Sequence, residues 1–298
     1  MDKRLAVAAV GRGVDSLAAM FPRKPIFGMI HMPALPTAPK NAMTIDQLID
    51  FALAEARKLE RAGLDAAIVE NVGDAPFFRD AVPPATVAAM ALLTREVKRA
   101  TTMKVGVNML RNAWEAALSV AYIAGADFIR CNVVIGAYVT DQGIIQGCAA
   151  ELARLRESLD RRVLVFGDIH VKHAHPLYDV PIEDAAKDLA ERGGVDAVIV
   201  SGRRSPDPPT LATVRLVANS VKPPVLVGSG VGLDNVADFY RLAGGVLLGE
   251  TDFKIGRQWG GASDERAYAQ AVAACRAREQ RKGLRGRAPL RGQREEPG

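Results

Sequence analysis

A chain of 298 residues holds one large α/β domain or two small ones, and 49% hydrophobic content with 24% charged residues rules out a disordered or fibrous protein. No apolar run approaches the 18 or so residues of a membrane span, and the N-terminus lacks the layout of a signal peptide, so a cytoplasmic protein is expected. The net charge of +5 has a local source: residues 276–298 carry eight Lys/Arg and three Glu, which leaves 31 charges of each sign in residues 1–275. That balance argues against a nucleic-acid partner, and nothing indicates peripheral membrane association. Cys131, Cys148 and Cys275 show no CxxC spacing and read as buried thiols.

In chain order, GRGVDS (11–16) reads as a turn capping a helix within an N-terminal segment, 1–24. The first apolar run, PIFGMIHM (25–32), ends at His31; after it TIDQLIDFALAEARKLERAG (44–63) has helical periodicity, with Thr44 as N-cap and Gly63 as its stop. DAAIVEN (65–71) ends at Glu70 and Asn71, with Asp74 beyond, and KVGVNML (104–110) carries Asn108, with Arg111 and Asn112 following. In DFIRCNVV (127–134), Arg130 and Asn132 share one strand face, and Cys131 points the other way, into the helix layer. The long connection GAYVTDQGIIQG (136–147) is either a lid over the site or a static helix-capping segment.

RVLVFGDIH (162–170) runs into VKHAH, so that three of the four histidines, His170, His173 and His175, lie within six residues. Strand alternation would project Asp168, His170 and Lys172 from one face. DAVIVSG (196–202) brings Ser201, PVLVGSG (224–230) brings Gly228, Ser229 and Gly230, and GGVLLGE (244–250) brings Gly249 and Glu250, with Lys254 close behind.

Eight strand-length runs separated by helical segments, with repeated Gly-turn-Asp punctuation, are the arithmetic of a single (β/α)8 barrel over residues 25–275, flanked by the N-terminal helical segment and a basic disordered tail, 276–298. A doubly wound sheet would want GxGxxG after its first strand, and GMIHMPALP supplies none. Each run is apolar at its start and polar at its end, the asymmetry of a barrel that does chemistry at its C-terminal face.

The blocks GMIHMPALPTAPK (28–40), IVENVGDAPFF (68–78), IRCNVVIGAYVTDQGIIQG (129–147), FGDIHVKHAHPL (166–177) and LVGSGVGLDN (226–235) resemble the signature blocks of the BtpA/SgcQ family. The resemblance spans about residues 25–260. It implies a barrel similar to the ribulose-phosphate-binding TIM barrels, in a family labelled for photosystem I biogenesis without an established reaction. RRSPDPP (203–209) departs from the Thr-Gly pair common in the family after the sixth strand, and the Arg-rich tail lies outside the resemblance.

The residues themselves point to acid–base chemistry. Glu70 and Asp168 are the carboxylates expected to be desolvated at the barrel mouth, with His170 as acid or base and Lys172 to balance an anionic intermediate or form a Schiff base. His31, Asn71, Asp74, Asn108, Arg130, Asn132 and Ser201 read as substrate-positioning groups; Arg130 could instead pair with Glu70. Gly228, Ser229, Gly230 and Gly249 read as a backbone phosphate cradle, aided by Lys254 and by the dipole of a helix at LDNVADFY. Glu70, Asp168 and His170 are also the candidate ligands if a divalent metal is used. The expected activity is that of an isomerase, epimerase or lyase on a small phosphorylated sugar, in a homo-oligomer. The alternatives are a non-catalytic biogenesis factor and a metal-dependent hydrolase.

Overall fold

The computed structural model describes residues 13–202, 207–258 and 260–285. The strands in chain order are β1 (Ile26–His31), β2 (Ala66–Glu70), β3 (Lys104–Asn108), β4 (Phe128–Cys131), β5 (Ala137–Thr140), β6 (Gly143–Gln146), β7 (Leu164–Ile169), β8 (His175–Pro176), β9 (Ala197–Val200), β10 (Val225–Val227) and β11 (Gly245–Leu248). Eight of them close a parallel barrel in the order β1-β2-β3-β4-β7-β9-β10-β11 and back to β1, each at an expected run. The helices are α1 (Gly13–Met20), α2 (Ile45–Arg61), α3 (Pro84–Ala100), α4 (Trp114–Ala124), α5 (Ala149–Ser158), α6 (Ile182–Glu191), α7 (Leu211–Ser220), α8 (Val236–Leu242) and α9 (Glu265–Arg285). The fold is a (β/α)8 TIM barrel.

Local sequence explains the ends of α2. Thr44 accepts from the Gln47 amide while the Gln47 side chain accepts from the Thr44 amide, a capping box, and Gly63 just past the helix adopts φ +85°.

Strand alternation sorts the core into two layers. Ile26 and Ile30, Ala67 and Val69, Val105 and Val107 face the helices, while Phe27, Met29, Ala66, Ile68, Phe128, Phe166, Ile199, Leu226 and Leu247 fill the barrel interior. Phe128 and Phe166 stack at 4.5 Å, and Phe27 meets both edge-on. The Phe128 ring fits because β3 has Gly106 beside it, where a Cβ would come within 2.1 Å of the ring. Leu17 and Phe21 join this interior cluster at the start of β1. With the lower positions apolar, the last inward position of each strand is the one left for polar side chains.

Three expectations about segments change. Residues 13–16 belong to α1 itself rather than to a turn before it, and residues 1–12 lie outside the described residues. The tail does not begin at residue 276: α9 continues to Arg285, and Arg276 donates to the Lys24 carbonyl at 3.0 Å and pairs with Asp65. Residues 286–298 lie outside the described residues. The connection after β4 is a β-hairpin, β5 against β6, extended by β8 from the connection after β7. Tyr138 and Ile145 on its inner face pack with Val133 and Val171.

Candidate active site

Because Phe27 and Met29, Ala66 and Ile68, Phe128, and Phe166 face inward, the same alternation turns His31, Glu70, Arg130 and Asp168 into the mouth. Asn108, Asn132 and Ser201 join them, all three buried. The register supports the convergence: His31 pairs with Glu70, Glu70 with Asn108, and Asn108 with Arg130 across β1 to β4.

Two carboxylates occupy different surroundings. Asp168 receives a two-pronged contact from Arg130, Nε to Oδ2 at 2.9 Å and Nη2 to Oδ1 at 2.8 Å, and a further bond from Asn132 Nδ2 at 2.9 Å, with Ser201 Oγ at 3.5 Å. So supplied with donors, it is a fixed anion that holds Arg130 and Asn132 in place. Arg130 therefore pairs with Asp168, not with Glu70. Glu70 takes one hydrogen bond, from Asn108 Nδ2 at 2.5 Å, and its other oxygen faces His31 Nε2 at 3.7 Å. Burial raises the Glu70 pKa, against the opposing pull of Arg130 and of the Asn108 bond. Burial, helped by Lys254, Lys172 and Arg130, drives the His31 pKa well below its usual value, so the imidazole is neutral.

The remaining expected residues divide. Asn71 and Asp74 hold the rim together: Asn71 Oδ1 accepts from the Leu110 amide at 2.7 Å, its Nδ2 donates to Asp74 Oδ2 at 3.0 Å, and Asp74 Oδ1 accepts from the Leu35 amide at 2.8 Å. Their polar atoms brace three loops and do not point as a set at a ligand. The alternation expected to carry His170 and Lys172 alongside Asp168 stops at Ile169, because His170 turns to φ +52° and ends the strand. The backbone of His170 instead bonds the Tyr138 hydroxyl under the hairpin, and Lys172 Nζ reaches Glu250 at 3.1 Å across the mouth.

The phosphate cradle read from the glycines is not what the structure forms. The Gly228 amide is used in the strand ladder, donating to Val200 at 2.9 Å. Ser229 Oγ and the Gly230 amide both donate to Glu250 Oε1, at 3.1 and 2.9 Å, so with Lys172 the cradle already holds an anion supplied by the protein. Gly249 lies where a Cβ would come within 2.5 Å of Met29, which makes it a packing requirement. The helix expected at LDNVADFY begins only at Val236, and Asn235 Oδ1 accepts from the Gly232 amide ahead of it. Lys254 is sealed in the wall, donating to the Met29 carbonyl at 3.2 Å, and burial lowers its pKa to about 8. It acts on His31 and Glu70 through the field alone.

Glu250 and Arg111 are the mouth residues that sequence reasoning left out of its candidate set, although both stand at strand ends. Among the described residues no group of three His, Cys, Asp or Glu side chains is placed to hold a metal ion, so Glu70, Asp168 and His170 do not form the ligand set considered for them. Cys131 lies on the helix side as expected, its Sγ 3.7 Å from that of Cys148.

The sequence matches the BtpA family over residues 22–275. The chain belongs to the BtpA family. An uncharacterized protein of Pyrococcus horikoshii is 44% identical over 83% of this chain and 94% of its own length. The photosystem I biogenesis protein BtpA of Synechocystis is 40% identical over 75% of this chain and 78% of its own. Solved structures share the fold of this BtpA-family barrel. One is N-(5'-phosphoribosyl)anthranilate isomerase of Pyrococcus furiosus, with TM-score 0.53 and 15% identity over 85% of this chain and 99% of that one. At that identity the likeness is one of fold. Among the described residues no helix is long and apolar enough to cross a membrane.

Proposed function

We propose that the protein is an enzyme that binds a small phosphorylated sugar, or a related metabolite, in the barrel mouth and moves a proton on it, as an isomerase, epimerase or lyase does. The observation that carries this reading is Glu70. It is a buried carboxylate with a pKa raised by burial, one hydrogen bond from Asn108 and a neutral imidazole beside it. A carboxylate whose pKa is raised by burial is a stronger base than a solvated one, suited to accept a proton and return it. Asp168 is committed to Arg130 and Asn132, so its part is positioning, and Arg130 is the cation near which negative charge on a substrate oxygen would develop. Asn108 Oδ1 and Asn132 Oδ1 are buried acceptors with no partner among the described residues, suited to substrate hydroxyls.

The test is a thermal-shift screen of sugar phosphates followed by turnover assays on any stabilising compound. Glu70→Gln should keep binding and lose at least about a hundredfold in rate. Wild-type turnover by that variant rules the reading out. A second reading, a non-catalytic biogenesis factor for a membrane complex, is favoured by the name of the Synechocystis relative. Such a factor would keep its cellular role after Glu70→Gln. A metal-dependent hydrolase has less support, since its expected ligands do not form a cluster.

A further inference from the structure

Among the described residues, the cations that open onto the mouth other than Arg111 are each answered by a carboxylate. Arg130 is paired with Asp168, Lys172 with Glu250, and Lys254 Nζ is bound to the Met29 carbonyl. Arg111 stands apart. The residue is only 8% exposed, one Nη donates to the Lys172 carbonyl, and its Nε–H has no partner among the described residues. No carboxylate among the described residues forms an ion pair with it, and the charges that act on it are Asp168, Asp141, Arg130 and Glu70. Asp141 lies at the tip of the β5–β6 hairpin and the other three in the mouth, so the guanidinium sits between the hairpin and the polar ring. Its backbone is fixed there by the Arg111 amide bond to the Phe78 carbonyl, 3.0 Å.

Leaving a guanidinium desolvated without a counter-anion is costly, and an anion that brings its own acceptors relieves the cost. An arginine also offers a planar fork matched to phosphate. At the opposite side of the mouth, where Ser229 and Gly230 would form a backbone cradle, the donors already converge on Glu250. We propose that Arg111, under the hairpin, is the residue that recognises the anionic group of the ligand, a phosphate monoester, and that the Ser229–Gly230 turn is not. The inference rests on reading the mouth as the site of a phosphorylated substrate. It places the phosphate beside Asp168 and Arg130 on the β3 and β4 side, with the hydroxylated remainder over Asn108 and Asn132.

The probe is inorganic phosphate, titrated into the full-length protein and followed by calorimetry. The wild type should bind it saturably. Arg111→Gln, which keeps a donor for the Lys172 carbonyl, should weaken binding at least tenfold, whereas Ser229→Ala should change it less than twofold. No binding to the wild type, unchanged binding by Arg111→Gln, or a tenfold loss in Ser229→Ala would each overturn the assignment. Should Arg111→Gln fail to fold, the wild-type protein still decides. Phosphate should shift the Arg111 Nε–H resonance saturably, that resonance being identified by its loss in Arg111→Lys, and a resonance that does not move counts against the proposal. Phosphate held by Arg111 without turnover of any sugar phosphate would leave this assignment standing and remove the enzymatic one. Glu70-dependent turnover with Arg111 indifferent to phosphate would do the reverse.

Discussion

At the scale of single residues, two buried carboxylates a few ångströms inside the same mouth are separated by their hydrogen bonds. Asp168 is an anion held by Arg130, Asn132 and Ser201, and Glu70 is an under-solvated acid with one donor. The difference has a thermodynamic signature. The Glu70 pKa in the fold lies above its unfolded value near 4.5. Between the two the native state holds more protons than the unfolded chain, so stability falls as pH rises through that window. Glu70→Gln, which still accepts from Asn108, should therefore match wild-type stability at pH 4 and exceed it at pH 8, as read by urea unfolding at both. A wild-type advantage at pH 8 would contradict the raised pKa. Asp168→Asn behaves differently, because it strands the Arg130 charge. A loss of about 3–5 kcal/mol at neutral pH is expected. A variant within about 0.5 kcal/mol of wild type would show the pair to be dispensable.

Among elements, legibility tracked how local the determining forces are. The strands and α2 were visible in the sequence because a period of two or of 3.6 and a Thr44–Gln47 cap are decided by near neighbours. Inward-facing Arg130 and Asn132 followed from the same alternation. It failed beyond Ile169, where His170 adopts a left-handed backbone that alternation does not anticipate. The hairpin was missed although its parts were present: AYVT and GIIQ flank the two residues Asp141 and Gln142, with Gly143 at φ +95°. Its third strand and its docking partners Val133 and Val171 come from other segments, so the sheet exists only once the barrel is built. If that docking holds the hairpin, Ile145→Ala, a change at a fully buried position, should cost about 2–5 kcal/mol and speed proteolysis at residues 137–146. Cleavage and stability unchanged from wild type would mean the hairpin is held some other way.

For the whole molecule, the barrel was legible as soon as eight apolar runs with polar C-terminal ends were counted, since closing such strands leaves one face for chemistry. The partners of those polar ends were not. Whether Arg130 answers Asp168 or Glu70, whether Glu250 or a ligand fills the Ser229–Gly230 turn, and whether Lys254 lies in the wall or the mouth are settled by distances across the barrel. Membership of the BtpA family and the TIM-barrel fold give the frame, and the chemistry proposed for it rests on Glu70. Exchange of substrate carbon-bound hydrogen with solvent, followed by proton NMR in D2O over a panel of sugar phosphates that stabilise the protein, tests that claim most directly. The wild type should incorporate deuterium next to the substrate carbonyl, and Glu70→Gln should bind the same compound yet exchange at least about a hundredfold more slowly. Exchange by Glu70→Gln at the wild-type rate would contradict it.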